Sequence, residues 1–121
     1  MIISVQVLFG STLGDAMHFF IEGEIALMEE NEIVALKNLH KSLKLYPNSP
    51  TIYNVIGDVY QNQNDYPNAL KNYILAYNLN QDDALGFKIV SLYKQIREID
   101  KANDFLDQIL IIYPQNSQLL Y

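Results

Sequence analysis

An all-α solenoid of three antiparallel helix hairpins is the fold class this sequence predicts. Three observations carry that expectation. The chain repeats itself with a period of roughly 34 residues, turn-forming residues fall at the joints of that period, and the apolar residues between joints recur at helical spacing.

The period is visible by sliding the chain along itself. A shift of 34 lays ALKNLHKSLKL (35–45) on ALKNYILAYNL (69–79), so that Ala35, Leu36, Lys37 and Asn38 meet Ala69, Leu70, Lys71 and Asn72. A further shift of 33 lays Tyr60 on Tyr93 and Ala69 on Ala102, and Pro47 and Pro114 are separated by one step of each kind. YPNSPTIY (46–53) and YPQNSQLLY (113–121) read as the same junction. The units are 16–49, 50–82 and 83–116, together spanning about 15–117. Residues 1–14 form an apolar leader, and 117–121 begin a fourth repeat or capping helix.

Each unit reads as two helices. Ser49 before Pro50 is an N-cap followed by proline at the first helical position. Asp65 suits the N-cap of the next helix, which places Pro67 in a first turn where its missing N–H breaks no internal bond. Asp82 or Asp83 can cap the first helix of unit three, and Asp100 the second. Pro47 and Pro114 follow helix ends. Gly57, inside an apolar run of helical period, costs about 1 kcal/mol relative to Ala and so calls for a packing reason. Gly23 and Gly57 fall where the two helices of a hairpin cross, opposite Ala35 and Ala69, and small residues on both sides permit a close approach.

These residues resemble the tetratricopeptide (TPR) pattern of a large residue, Leu-Gly-x-x-Tyr, Ala-x-x-x-aromatic and a closing Pro. Unit two reads Tyr53-x-x-Ile56-Gly57-x-x-Tyr60, then Ala69-x-x-x-Tyr73 and Ala76, with Gln81 in place of the proline. Unit one keeps Phe19, Gly23, Ala35, Leu39, Ser42 and Pro47 but has Ala26 where Tyr60 stands. Unit three keeps Ile89, Tyr93, Ala102, Leu106 and Pro114 but has Val90 at the glycine position. The resemblance covers about 100 residues.

It implies a right-handed superhelix in which the first helix of each unit lines a concave groove, and a non-catalytic protein-interaction module that binds a peptide or helix there. The implied groove positions are Met17, Phe20, Glu24, Leu27 and Met28 in unit one, Thr51, Asn54, Asp58, Gln61 and Asn62 in unit two, and Ala84, Phe87, Ser91, Lys94 and Gln95 in unit three. The first set is notable without the family, because its five residues share one helical stripe and four are apolar, the kind of patch that marks contacts. Some TPR domains grip the C-terminal Glu-Glu-Val-Asp of cytosolic chaperones with a clamp of Lys and Asn on the first helix, Asn on the third, and Lys and Arg on the fifth. The matching positions here are Phe20, Glu24, Val55, Ala84 and Lys88. Only Lys88 fits, and a carboxylate beside Glu24 and Asp58 meets repulsion, so a chaperone-tail role is not expected.

Composition narrows the rest. Half the residues are apolar and 18% are charged, which is not a disordered composition. A net charge of −6 and a pI near 4.6 disfavour nucleic acid and anionic membrane surfaces. The chain has no cysteine, hence neither disulfide nor thiolate chemistry. No apolar run reaches the length of a membrane span, and no basic residue precedes the apolar stretch Ile2–Phe9 as in a secretory signal. The expectation is a soluble, cytoplasmic protein.

No motif for chemistry stands out. Ser91-x-x-Lys94 lacks the companion elements of the penicillin-binding pattern and lies on a repeat helix. His18 and His40 are unaccompanied at metal spacing. Glu29, Glu30 and Glu32 read as a solvated turn, and Lys37, Lys41 and Lys44 as a solvated stripe. No cofactor, metal or catalytic residue is expected.

Two ends do not fit the repeat. The last helix, about 100–113, places Ala102, Leu106 and Leu110 inward and Phe105, Ile109 and Ile112 on a second stripe. With Leu119, Leu120 and Tyr121, that stripe is either the expected surface for self-association or the contact with a next unit of a longer array, since a terminal repeat otherwise needs a polar outer face. At the other end Ile3, Val5, Val7 and Phe9 alternate with Ser4, Gln6 and Leu8 as a strand does. This suggests an extended segment lying against the apolar groove of unit one, the alternatives being a frayed leader or the remnant of an upstream helix. The rival to an adaptor is a regulatory or targeting domain of a larger, enzymatic protein.

Overall fold

Each hairpin turns on a left-handed residue, and most of its helices start on a side-chain cap. The computed structural model describes the backbone of residues 2–115 and the side chains from Thr12 to Gln115. Six helices are found there: α1 (Ile2–Met28), α2 (Glu32–Leu45), α3 (Pro50–Asn62), α4 (Tyr66–Leu79), α5 (Asp83–Gln95) and α6 (Ile99–Ile112). Asn31, Ser49, Asp65 and Asp82 each accept a hydrogen bond from the backbone N–H three positions on, capping α2 to α5. Pro50 and Pro67 stand in first turns, as their fixed φ favours. At α6 the expected cap, Asp100, instead lies inside the first turn, where its charge suits the positive end of the helix dipole; Glu98 occupies the cap position without a side-chain bond.

The helices that open the hairpins end identically. Glu30, Asn64 and Arg97 have φ of 58°, 59° and 65°. The N–H groups of Asn31, Asp65 and Glu98 donate to the carbonyls of Ala26, Tyr60 and Tyr93, while those of Glu30, Asn64 and Arg97 donate to Leu27, Gln61 and Lys94. This is the Schellman pattern, which satisfies carbonyls that a helix end leaves open. Its recurrence at steps of 34 and 33 reproduces the sequence period in backbone geometry.

α1 packs on α2, α3 on α4 and α5 on α6, with α2 against α3 and α4 against α5 joining the hairpins. One apolar cluster links Leu39 of α2 to Ile52, Ile56 and Val59 of α3, and a second runs from Ala69 through Tyr73 and Tyr77 to Ile89, Leu92 and Ile109. The crossings are tight where the glycines predict it: a Cβ on Gly23 would meet Leu39 first and then the Ala35 carbonyl at 3.4 Å, whereas one on Gly57 would meet the Tyr73 ring rather than Ala69. A Cβ on Gly57 would lie 2.5 Å from Tyr73 Cε1, and one on Gly23 would lie 2.9 Å from Leu39 Cγ. The buried Ser42 hydroxyl donates to the Ala16 carbonyl at 2.6 Å, tying α2 to α1.

Both unassigned ends differ from expectation. Residues 2–9 are not extended; they are the opening turns of α1. A short apolar run suits either period. A lone strand leaves its backbone groups without partners, whereas the helix satisfies them internally. The C-terminal stripe is not a free surface either. Ile109 is fully buried and packs against Gly86, and Phe105 rests on the Tyr77 ring with centroids 5.0 Å apart. Of that stripe Ile112 is exposed, beside Ile111; Leu119, Leu120, Tyr121 and the proposed start of a fourth repeat lie outside the described residues.

Two glycine substitutions separate packing from propensity. Gly57→Ala is expected to destabilise by about 1–3 kcal/mol, because the Tyr73 ring must move, whereas Gly14→Ala, with nothing within 4 Å of its Cβ, should stabilise by up to about 1 kcal/mol. Urea denaturation of the two variants checks the opposite signs. In the same assay Glu30→Gly should stabilise by roughly 0.5 kcal/mol, the left-handed strain relieved less the entropy glycine loses.

Candidate functional site

α3 carries Asn54, Asp58 and Gln61 on one face, at positions i, i+4 and i+7, and this face meets α5. Lys88 Nζ bonds to Asp58 Oδ1 at 2.9 Å and to Asn54 Oδ1 at 3.0 Å. Tyr73, from α4, reaches the same place through the gap beside Gly57. Its hydroxyl donates to Asp58 Oδ1 at 2.5 Å and lies 2.7 Å from the Gln61 carboxamide oxygen. A phenol has one proton, so with Asp58 as acceptor the Gln61 amide is better placed with its NH2 donating to Tyr73. The Lys88 ammonium also stands 5.3 Å from the centre of the Tyr73 ring, within cation–π range. The Lys88–Asp58 pair is about 40% exposed on each side, so its worth is at most about 1 kcal/mol. Its consequence is geometric: three helices are pinned together, and two of the three donors of Lys88 are spent inside the protein.

The structure brings the expected groove residues together in two sets and leaves others apart. Met17 and Phe20, with Leu13 and Ile21 of α1 and Thr51 and Ile52 of α3, line an apolar cleft of about 260 Å³. Thr51 also lines the neighbouring polar cleft of about 280 Å³ with Asn54, Ala84 and Lys88, so the two adjoin at that residue. Leu27, Asp58 and Asn62 line a third, acidic cleft with Glu30 and Glu32. Phe20 and Leu27 are partly buried against the core cluster and pave the wall. Glu24 is half-buried, and Met28 stands exposed at the far end of α1. Phe87 packs into the second core cluster. Ser91 and Lys94 are exposed on α5 and line none of these clefts.

Sequence reasoning passes over three contributors. Leu13 and Ile21 lie one helical turn either side of Met17, so the stripe is readable once α1 is extended upstream of Ala16. Tyr73 reads from sequence as a space-filling ring, and the acidic partner of its hydroxyl, Asp58 on another helix, has no signature in spacing. Among the described residues no group of three or more His, Asp or Glu converges to hold a metal, and no helix is long and apolar enough to cross a membrane.

No protein-family model and no curated protein sequence matches the chain. Solved structures do. The N-terminal domain of stress-induced protein-1 from C. elegans superposes with a TM-score of 0.74 over 82% of this chain and 84% of its own, at 14% identity. The MamA protein gives 0.75 over 90% of this chain and 59% of its own, at 17% identity. The first TPR of Spaghetti (RPAP3), solved bound to the HSP90 peptide SRMEEVD, gives 0.69 over 84% and 83%, at 15% identity. The fold is a tetratricopeptide superhelix. The likeness at these identities is one of fold, and the TPR scaffold accounts for the paired helices, the glycine crossings and the concave face built by α1, α3 and α5.

Burial, and then the hydrogen bond to Asp58 and the charge it carries, push the Tyr73 hydroxyl far above the ordinary tyrosine range. Burial also raises Tyr77, with the nearby Tyr113 adding to it; the Tyr77 hydroxyl has no hydrogen-bond partner among the described residues. Below the ordinary tyrosine pKa of about 10 both folded and unfolded states hold these protons, and the contribution is complete. Above it the unfolded phenols ionise while the folded Tyr73 does not, so stability should fall by about 1.4 kcal/mol per pH unit on its account, with Tyr77 adding to the loss in the same direction. Denaturant titrations between about pH 9 and pH 11.5 should show the loss, and Tyr73→Phe should remove the share of Tyr73. An alkaline slope unchanged in Tyr73→Phe would contradict the assignment.

Proposed function

We propose that the chain is a non-catalytic protein-interaction module that holds a peptide or helix along its concave face. The observation that carries this reading is that two clefts adjoin at Thr51, an apolar one lined by Met17 and Phe20 and a polar one lined by Asn54 and Lys88. The first offers an anchor for one large apolar side chain, and the second offers Asn54 and Thr51 to a ligand backbone. The RPAP3 domain, which was solved with a peptide, supports the reading by likeness of fold.

The ligand class differs from a free carboxylate terminus. Of the clamp positions Lys88 alone is a cation, and it is committed to Asp58 and Asn54. SRMEEVD is therefore expected to bind no tighter than about 1 mM; affinity in the low micromolar range that disappears in Lys88→Ala would refute this. Self-association belongs to the same reading through the exposed Ile111 and Ile112 edge. It predicts concentration-dependent sedimentation, and a species that stays monomeric at millimolar concentration would exclude it.

The groove itself is tested by selecting ligands from a displayed peptide library on the wild-type protein, then measuring them against Thr51→Tyr. Thr51 is exposed at the start of α3, so the ring fills the junction of the two clefts without disturbing the core. Selected peptides should bind this variant at least about tenfold more weakly. Unchanged affinity would show that the concave path is not where they sit.

A further inference from the structure

We propose that the outer ridge of α1 is a second docking surface, whose occupant is a basic amphipathic α-helix of a partner protein. Leu13, Met17, Ile21 and Ile25 follow one another at i, i+4 spacing, and Met28 continues the line; Leu13, Met17 and Ile21 are the edge that this ridge shares with the apolar cleft, and Ile25 and Met28 lie beyond it. All five are between 42% and 82% exposed. At 1.5 Å per residue the ridge is about 23 Å long, larger than the scattered exposure normal for a soluble surface.

The repeat shows what shape belongs there. One repeat step carries Ile25 to Val59, and the next carries Val59 to Leu92. Val59 and Leu92 are fully buried, Val59 in the cluster that joins α3 to α2. At both internal joints, then, the part of the opening helix at the Ile25 position is covered by a helix, whereas the Met17 position is taken by Thr51 and Ala84, which stay exposed. In unit one no described residue covers that part.

The chemistry departs from the internal joints in one respect. Glu22 is equivalent to Ile56 and Ile89, both with no exposed surface at the centre of their joints. A wholly apolar helix laid on α1 would bury that carboxylate unpaired, which is strongly unfavourable. A helix with Lys or Arg beside its apolar stripe would pair it. The flanks of the ridge agree: Asp15 and Glu22 lie on one side and Glu24 on the other, and none has an ion-pair partner among the described residues. Nor does any cation lie near in sequence. All eight Lys and Arg residues occur at or after Lys37, while Asp15, Glu22, Glu24, Glu29, Glu30 and Glu32 precede it, so the whole excess of −6 sits on α1, the turn after it and the first residue of α2. A second copy docked ridge to ridge would set these carboxylates against each other, and an anionic lipid surface would be repelled. Complementary charge would also speed and orient the encounter with a basic helix.

The probe is a labelled synthetic helix of about 18 residues, Leu along one face and Lys on both flanks, followed by fluorescence anisotropy at low and moderate salt. A peptide of the same composition with the Leu positions scrambled is the comparison. Saturable one-to-one binding is expected, at least about tenfold weaker for the scrambled peptide, for Ile25→Ser/Met28→Ser and for Glu22→Lys, with a smaller salt dependence in the last. Asn54→Ala, in the polar cleft that no α1 residue lines, should bind as wild type does, which separates this surface from the concave path. All three substituted residues of the ridge are exposed, and circular dichroism confirms that the variants fold. Equal binding of the scrambled peptide, unchanged affinity in the ridge variants, or loss in Asn54→Ala would each overturn the proposal. So would wild-type self-association abolished by Ile25→Ser/Met28→Ser, which would make a second copy the occupant.

Discussion

The Tyr73 ring fills the volume that Gly57 leaves open between α3 and α4, and the chemistry of the concave face follows from that placement. The ring passes close to the α3 backbone because no Cβ stands in its way, and so its hydroxyl emerges between Asp58 and Gln61 rather than within the core. Asp58, held by the phenol, is then presented to Lys88 of the next hairpin. A glycine that weakens a helix by propensity thus enables a bond network spanning three helices. The same positions in unit three are Val90 and Leu106, both buried. A larger residue on the first helix faces a smaller one on the second, and no polar group is carried through. The network therefore belongs to the middle unit alone, since unit one sets Leu39 against Gly23 and likewise carries no hydroxyl through.

The hairpins are kept in step by their turns. A superhelix tolerates little variation in how its opening helices end, because an error in one turn would rotate every later hairpin. Here the ends share a left-handed residue and the same pair of backbone bonds, even though the residues involved are Glu30, Asn64 and Arg97. Only Asn adopts that conformation readily. The geometry is thus imposed by the paired backbone bonds that all three turns share and by packing across the crossing, and local preference is overruled at two turns of three.

This explains how much of the molecule is legible in its residues. The period, the caps at Ser49 and Asp65, the place of Pro67 and the tightness at Gly23 and Gly57 are local or strictly periodic features, and each leaves a mark in spacing. The left-handed turns carry no glycine and leave none. Residues 2–9 are ambiguous because so short a run cannot separate a period of 2 from one of 3.6. Ile109 reads as outward-facing but is buried, because the third hairpin has a second close approach at Gly86 that draws the outer stripe of α6 inward. Lys88 illustrates the harder limit. Its position in the repeat is legible, and even its match to a clamp, but its availability depends on Asp58 of the preceding hairpin and on a phenol that no periodicity connects to either.

The two outermost faces of the array are chemically unlike. On α2 and α4 the positions that meet the next hairpin include Leu36 and Leu70, both packed into the core clusters. The equivalent position on α6 is Asn103, which is exposed, with exposed Asp107 one turn further on where α4 has Ile74. Water can solvate the polar side chains of such a face. α1 takes a different course: Glu22 interrupts its outer face, yet Ile21 and Ile25 remain beside it. A carboxylate at the centre of an apolar face keeps the surface soluble in water and rejects a purely apolar helix, while leaving hydrophobic area for any partner that brings a compensating cation. Selectivity built in this way rests on discrimination against wrong partners as much as on attraction to the right one. It needs no groove and no change in the scaffold, only two or three residues on one helix face that the fold leaves free to vary.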